Sequence, residues 1–390
     1  MKQLRTRSNR KPRVRVAVIG TGWIAEKVYL PSLLNHPGIE VAAAYDPSAE
    51  MLARFSRHAG LRPAALGLEA CWAPDIDAVL LCTPPSVHAQ QIARFVARGK
   101  YVLCEKPVFR HTSELDQIGD ASVVAKRLMG SASMRLRRDV RLLLHWITKG
   151  LIGPLEYVRL GWWREKGVPS AGSWRTDPQH APMGVMEDLG PHLLDLLASL
   201  VSKRIWNELH VTTATSRCRY GNDMQRSASW FNSELREPYV VPDQASATFV
   251  SNTGTKVEVE VCWANDLPGD YCSLWFQGRD GTASLKGLLG LSNLRRSSEQ
   301  SCSLEIKDRS PEIHYFPVGP ELQMQAFADS INVFAGFCKG VRGATSNYSE
   351  IELVTKWLTE IQQISQGVPA TSAGMFNLKS SNLLNAGAAE

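Results

Sequence analysis

The lysine at position 106 has the sequence context of a residue that takes part in chemistry. It follows the apolar run 101–103, which predicts a buried strand, and Pro107 ends that strand because proline cannot donate a ladder hydrogen bond. In open parallel sheets, cofactor and substrate meet beyond the carboxyl ends of the strands. We therefore predict that Lys106 is a reaction-centre residue and not a solvated surface charge.

The segment 184–195 holds a second group of side chains that could do chemistry. Asp188, His192 and Asp195 are three or four residues apart along a predicted helix, so their side chains can share one face. A carboxylate that orients a histidine makes it a proton-transfer group near pH 7. The alternative is an aspartate that caps the helix and a histidine that binds backbone groups. Considered together with Lys106, the proton-transfer interpretation is favoured.

The N-terminal third predicts a dinucleotide-binding fold that could position these groups. The β-branched run 14–19 is typical of a central parallel strand and leads into residues 20–25, a G-x-G-x-x-A pattern. Such a loop turns tightly, approaches a pyrophosphate and directs the following helix at the phosphates. Asp46 ends the next predicted strand, 21 residues after Ala25, where an acid binds the ribose 2′-hydroxyl and repels a 2′-phosphate. NAD is therefore the favoured cofactor, with NADP possible.

The loop after the next predicted strand, 77–82, extends the cofactor side of this fold. Pro84 and Pro85 delay the following helix, so the chain crosses the sheet edge as a loop that would lie against the cofactor. For His88, cofactor contact and a structural role at the helix start remain equal alternatives, since loop residues at strand ends are often functional. The predicted cofactor-binding residues are Gly20, Gly22, Trp23, Ile24, Asp46, Thr83, Pro84, His88, Glu105 and Lys106.

Together these motifs resemble those of the glucose–fructose oxidoreductase, inositol dehydrogenase and rhizopine catabolism family (Gfo/Idh/MocA). The resemblance extends over about residues 12–367. It implies that Lys106 lies beside the nicotinamide and that Asp188 and His192 handle a proton. The chain departs from the family pattern by keeping only Gly184 before the aspartate and by having a proline at 191, which affects the shape of the substrate loop.

The resemblance implies an NAD(P)-dependent oxidoreductase. It would transfer hydride between nicotinamide and a carbinol or carbonyl carbon of a sugar, nucleotide-sugar or cyclitol. His192 would be the general base, oriented by Asp188 and Asp195, and Lys106 would stabilise the reacting oxygen, although Lys106 and His192 could exchange roles. The alternatives are an imine or C=C reductase on the same fold and a non-catalytic dinucleotide-sensing regulator. The candidate substrate contacts are Arg135, Trp174, Arg175 and Asp195.

From residue 129 onward the pattern changes to alternating segments, which are typical of half-buried antiparallel strands. An α/β Rossmann domain is therefore predicted over residues 14–128. An α+β substrate-binding and dimerisation domain is predicted over 129–366, with a large, mostly antiparallel open sheet covered on one face by helices that include 327–339. The resemblance implies a homodimer or homotetramer through that sheet. The predicted strands are 157–163, 245–250, 256–263 and 271–277.

Composition restricts the class of protein. The formal net charge of +6 comes from residues 1–15, which hold seven Lys or Arg and no acid, so the remaining residues sum to −1. We predict a flexible basic arm at 1–13 and a disordered tail at 367–390, and neither nucleic-acid nor membrane binding. Without a secretory signal, the protein is expected to be cytoplasmic. Its eight cysteines form no ligand cluster, so no metal site is predicted.

Overall fold

A computed structural model describes residues 13–169, 173–221, 239–292 and 294–367. Residues 1–12 of the predicted basic arm and residues 368–390 of the predicted tail lie outside this described part.

The first sheet is parallel and is built from the short apolar runs of the N-terminal third. The strand order is β2-β1-β3-β4-β5. The order reverses beside β1, because the chain continues on one side of it to β2 and returns on the other side to β3. The carboxyl ends of β1 and β3 therefore form the point where open α/β sheets bind their ligands. The strands are β1 (Val14–Ile19), β2 (Ile39–Tyr45), β3 (Ala78–Leu81), β4 (Tyr101–Cys104) and β5 (Leu128–Gly130).

Helices cover both faces of this sheet and enclose two apolar clusters. The helix after the glycine loop begins as a π-helical turn, Ile24–Tyr29, and continues as α1. Strand β5 pairs with β4 through Gly130, two residues past the position of the predicted boundary at 128. The helices of this half are α1 (Leu30–Asn35), α2 (Ala49–Ala59), α3 (Leu68–Trp72), α4 (His88–Val96) and α5 (Ala121–Val124).

The second sheet has eight strands in the order β13-β12-β11-β10-β6-β9-β8-β7. All neighbours are antiparallel except β6 and β9, which run parallel. The predicted large, mostly antiparallel sheet is confirmed. The strands are β6 (Leu155–Trp163), β7 (Leu209–Arg217), β8 (Gln244–Ser251), β9 (Lys256–Cys262), β10 (Tyr271–Gly278), β11 (Gly281–Gly287), β12 (Gln300–Ile306) and β13 (Glu312–Phe316).

One face of the second sheet is buried under helices. In β10, burial alternates residue by residue, and the buried Cys272, Leu274 and Phe276 belong to the same apolar cluster as Leu193 and Trp357 from two of the covering helices. This period of two is the reason why the sequence pattern located these strands. The helices that share this cluster are α6 (Arg138–Thr148), α7 (Val185–Asp188), α8 (Gly190–Ser202) and α10 (Tyr348–Ser365).

Helix α9 (Glu321–Cys338) packs against the nucleotide-binding sheet, which corrects the prediction that it covers the second sheet. Phe327, Ile331 and Phe334 share an apolar cluster with residues of β1 and α1. The Phe327 ring meets Tyr29 edge-on, with 5.3 Å between ring centroids. An apolar helical face shows that a helix is buried but does not identify the surface it covers, and here the chain returns to the first domain.

Two general features bear on the class of protein. No helix among the described residues is long and apolar enough to cross a lipid bilayer. All eight cysteines are free thiols, and the described part of the chain contains no group of three or more His, Cys, Asp and Glu arranged to hold a metal ion.

Replacing Phe334 by alanine tests the placement of α9. The ring is fully buried in the cluster shared with the nucleotide-binding sheet, so its truncation should lower the free energy of unfolding by about 3–5 kcal/mol. Val341→Ala is the control: Val341 is 54% exposed, and its truncation should change stability by less than about 0.5 kcal/mol. Urea denaturation measures both values. Equal stabilities for the two variants would contradict this packing.

Candidate active site

The glycine loop after β1 has the geometry that a dinucleotide requires. Gly20 has a φ of +83°, and a Cβ there would lie 2.7 Å from the backbone carbonyl of Cys82, so only glycine fits. A Cβ on Gly22 would meet nothing within 4 Å. The first glycine therefore packs the loop against the end of β3, and the second leaves open space beside the N-terminal end of the helix. Trp23 and Ile24 follow directly and are half-buried.

Asp46 ties the end of β2 to this loop. Its Oδ2 accepts hydrogen bonds from the Thr21 backbone N–H at 2.7 Å and from the Thr21 hydroxyl at 3.1 Å. Its Oδ1 accepts one from the Ser48 N–H at 2.8 Å. A carboxylate has about four lone-pair sites, so it can still accept from a ribose hydroxyl. The acid predicted from its spacing thus lies beside the glycine loop.

The turn after β4 is held by Glu105 and a tyrosine. Glu105 Oε2 accepts a hydrogen bond from the Lys106 N–H at 3.2 Å, and Oε1 accepts one from the Tyr29 hydroxyl. That hydroxyl also lies 2.8 Å from Ser131 Oγ. Burial and the Glu105 carboxylate raise the pKa of Tyr29 well above its usual range, so Tyr29 remains a donor. Its role was not predicted, since a tyrosine inside a helix has no motif of its own.

His88 joins two loops and is fully buried. Its Nε2 lies 2.9 Å from the Thr83 carbonyl oxygen, and its Nδ1 lies 3.0 Å from that of Pro107 and 3.2 Å from that of Val108. Burial lowers the pKa of His88, although these carbonyls oppose the change. Both ring nitrogens are engaged within the protein. The structure thus favours the structural alternative for His88, which fastens the loop carrying Thr83 and Pro84 to the turn carrying Lys106.

Lys106 reaches across to the second domain and contacts Asp188. Its Nζ lies 3.0 Å from Asp188 Oδ1 and 2.5 Å from the Asp188 backbone oxygen. Asp188 Oδ2 accepts a hydrogen bond from Trp263 Nε1 at 3.0 Å. Burial alone would raise the pKa of Asp188, but Lys106, Arg175 and Arg164 hold it well below its usual range. The carboxylate is therefore charged.

Two elements of the second sheet deliver further partners to Asp188. Arg164 follows β6 and Trp263 follows β9, and these strands are parallel, so both residues emerge at the same edge. Arg164 Nη1 lies 4.0 Å from Asp188 Oδ2. Trp263 was missed because no motif marks it and its contact partner is 75 residues away in sequence.

His192 lies in the first turn of α8, near Lys106 and Asp188. Its ring centroid is 5.6 Å from that of Trp162. Burial and the Lys106 ammonium lower the pKa of His192 well below its usual range, against the opposing effect of Asp188. The imidazole is therefore neutral at pH 7 and able to accept a proton. Within the described residues it has no hydrogen bond to Asp188 or Asp195, so the expected carboxylate-oriented histidine is not what the structure shows.

Asp195 has a different partner from the one expected. Its Oδ2 lies 2.7 Å from Arg135 Nε, and Arg135 Nη1 lies 3.4 Å from Glu350 Oε1. Burial raises the pKa of Asp195 to about 6, with Arg135 opposing the shift and Glu350 adding to it. Three-residue spacing would allow Asp195 to contact His192. In the structure, Asp195 instead pairs with Arg135, which lies outside α8.

Trp174 and Arg175 lie beside this centre. The Arg175 guanidinium carbon is 4.4 Å from the Trp174 ring centroid, and Arg175 Nε is 3.6 Å from Asp188 Oδ1. Arg164 similarly covers Trp162, at 5.2 Å. Cations over aromatic rings thus lie around the Asp188 carboxylate. Of the four predicted substrate contacts, Trp174 and Arg175 lie beside Asp188, whereas Arg135 and Asp195 pair with each other.

The fold and this site define a two-domain oxidoreductase that binds a nicotinamide dinucleotide. Residues 14–130 match the family model described as "Oxidoreductase family, NAD-binding Rossmann fold" (GFO_IDH_MocA). Residues 140–284 match the GFO/IDH/MocA C-terminal domain. The chain belongs to the GFO/IDH/MocA family, which confirms the resemblance inferred from the motifs.

Individual relatives agree with this assignment. The "Putative UDP-kanosamine synthase oxidoreductase subunit" of Amycolatopsis mediterranei (strain S699) is 31% identical over 280 residues, 72% of this chain and 76% of that protein. A 3-ketoreductase from Actinomadura kijaniata, solved with NADP and TDP-benzene, has a TM-score of 0.68 and 21% identity, covering 91% of this chain and 98% of that one. Levoglucosan dehydrogenase with NADH and L-sorbose has a TM-score of 0.70 and 17% identity, covering 91% and 97%. These two solved structures have the same fold as this chain.

Replacement of Lys106 by methionine should raise the pKa of the His192 imidazole. Burial and the Lys106 ammonium both disfavour the imidazolium, and the variant removes the second effect. NMR titration of the histidine ring signals measures the change, and His192→Gln assigns the peak. Lys126→Met is the matched control, because Lys126 is exposed. An unchanged His192 pKa in the Lys106 variant would show that the ammonium does not act on the imidazole.

Proposed function

We propose that the protein is an NAD(P)-dependent dehydrogenase or reductase that interconverts a carbinol and a carbonyl group of a sugar-like substrate. The observation that carries this proposal is the contact between Lys106 and Asp188, 3.0 Å from Nζ to Oδ1, beside a neutral histidine. This contact joins the carboxyl edge of the nucleotide-binding sheet to the second domain. It brings together a carboxylate (Asp188), a neutral imidazole (His192) and an ammonium group (Lys106).

The residues of the first domain fit a nicotinamide dinucleotide. The open space at Gly22 and the helix N-terminus beside it suit a pyrophosphate, and Asp46 suits a ribose 2′-hydroxyl. The bound cofactor would accept or donate the hydride. Asp46 would repel a 2′-phosphate, which supports NAD over NADP as the preferred cofactor.

The protein supplies the proton handling and the electrostatics. In alcohol oxidation, His192 accepts the proton of the substrate hydroxyl as the C–H electron pair leaves with the hydride; in carbonyl reduction, it returns that proton. Its low pKa keeps it neutral before the reaction. The Lys106 ammonium is paired with Asp188 and donates a hydrogen bond to the reacting oxygen, which stabilises developing negative charge. Asp188 holds Lys106 in place, fixed in turn by Trp263.

The surroundings of Asp188 support a sugar that bears negative charge. Lys106, Arg164 and Arg175 face a single carboxylate there, and aromatic rings such as Trp174 provide stacking surfaces. A nucleotide-sugar combines these features. The UDP-kanosamine synthase subunit and the 3-ketoreductase solved with TDP-benzene are consistent with that class.

The second sheet supports self-association. Its face opposite the helices carries half-buried aromatic pairs, Trp163 with Tyr271 at 6.1 Å between centroids and Tyr157 with Trp275 at 5.7 Å. Aromatic residues are enriched at protein interfaces. We propose that this face forms the contact in a homodimer or homotetramer.

Lys106→Met should lower kcat by about 10²–10³-fold, as expected for the loss of a group that stabilises developing charge. Dinucleotide binding should remain, because the glycine loop and Asp46 are untouched. Turnover is followed by the absorbance of reduced nicotinamide with sugars, nucleotide-sugars, cyclitols and imines, and binding by its fluorescence. Lys126→Met is the control. Retained turnover in the Lys106 variant would refute this mechanism, and dinucleotide binding without turnover of any substrate would favour a sensor.

Asp46→Asn should shift cofactor preference toward NADP by about tenfold, equivalent to about 1.4 kcal/mol of repulsion removed. The amide oxygen can still accept from the Thr21 N–H, so the loop is preserved. Ratios of kcat/KM for NAD and NADP measure the change. Asp116→Asn, at an exposed carboxylate, is the control. A wild type that already prefers NADP would contradict the assigned role of Asp46.

A further inference from the structure

A large cavity lies beside the outer edge of the nucleotide-binding sheet. Its volume is about 790 Å³, within the usual range for small-molecule sites. It is bounded by the end of β5, by α6, by α9 and by the N-terminal end of α10. None of Lys106, Asp188 and His192 is among its lining residues, so it is separate from the reaction centre described above.

The cavity is lined by basic side chains from several elements. Arg138, Arg141 and His145 line it from α6, at positions i, i+3 and i+7, which lie on one helical face. Lys203, at the end of α8, and Arg135 also line it. Among the described residues that line the cavity, Glu350 supplies the one carboxylate.

Glu350 does not neutralise the basic side chains that line the cavity. It contacts Arg135, which also pairs with Asp195, so both acids are used by a single guanidinium. In the described part of the chain, Arg138, Arg141 and Lys203 form no ion pair. Partial burial of the Lys203 ammonium and the nearby Arg135 lower the pKa of Lys203, with Glu350 opposing.

Cations on a convex surface are ordinarily solvated and need no partner. Here they line a shared concave space, and like charges on one helical face destabilise a helix modestly, a cost that a bound anion would offset. We propose that this cavity binds a compact polyanion bearing at least two phosphate groups. Arginines suit this ligand because the guanidinium donates two parallel hydrogen bonds to phosphate oxygens. Arg138 and Arg141 are exposed, so the ligand can enter from solvent.

Isothermal titration calorimetry of the full chain tests this site. The probes are inorganic pyrophosphate, ADP and UDP, each titrated with saturating dinucleotide present so that the glycine loop is already occupied. Arg138→Gln/Arg141→Gln should weaken binding at least about tenfold, about 1.4 kcal/mol. Lys307→Gln/Arg309→Gln removes two exposed cations after β12, outside the cavity lining, and should bind as the wild type does.

A second variant and the choice of probe make the result decisive. Lys203→Gln changes a cation that lines the cavity from the end of α8, a different element from α6, and should also weaken binding. Tighter binding of ADP or UDP than of pyrophosphate, where the Arg138/Arg141 variant loses that difference, would assign the site to a nucleotide, and equal affinities would assign it to a free oligophosphate. Absence of binding to the wild type at millimolar concentrations, or equal affinity in the wild type and the Arg138/Arg141 variant, would overturn the proposal.

Discussion

The ion pair between Lys106 and Asp188 is the contact on which the arrangement of the site depends. It links the turn after β4 to the end of α7, and the two side chains are only 17% and 12% exposed. Breaking a buried pair by removing one partner leaves an uncompensated charge, at a cost of about 3–5 kcal/mol. The surrounding contacts, from Glu105 to Trp263, fix the two ends of this pair. The second domain is thereby held at the carboxyl edge of the nucleotide-binding sheet.

The same pair separates the protonation states of its neighbours. Asp188 is charged because three cations surround it, whereas His192 is neutral because it is buried close to two of those cations, Lys106 and Arg164. Groups whose environments push their pKa values apart can take distinct acid, base and electrostatic roles. Sequence spacing left the roles of Lys106 and His192 interchangeable. The charges around them favour the ammonium as the fixed cation and the imidazole as the base.

Local features were predictable from the sequence, and features set by distant contacts were not. The glycine loop, Asp46 and the strand before Lys106 depend on neighbouring residues and spacing, and each is found where it was expected. Helix α9 was correctly identified as a helix but assigned to the wrong sheet, because periodicity does not name the surface that a helix covers. Similarly, spacing suggested His192 as the partner of Asp195, whereas its partner in the structure is Arg135, 60 residues away in sequence.

Both sheets supply the site by the same geometric rule. In the first sheet, parallel neighbours bring the ends of β3 and β4, and therefore Thr83 and Lys106, to one edge. The second sheet is antiparallel except for β6 and β9, and that parallel pair lies in the middle of it. Residues following β6 and β9, Arg164 and Trp263, consequently reach Asp188 from the same side. An antiparallel pair would have placed them at opposite edges, so the single parallel pairing is what completes the carboxylate's surroundings.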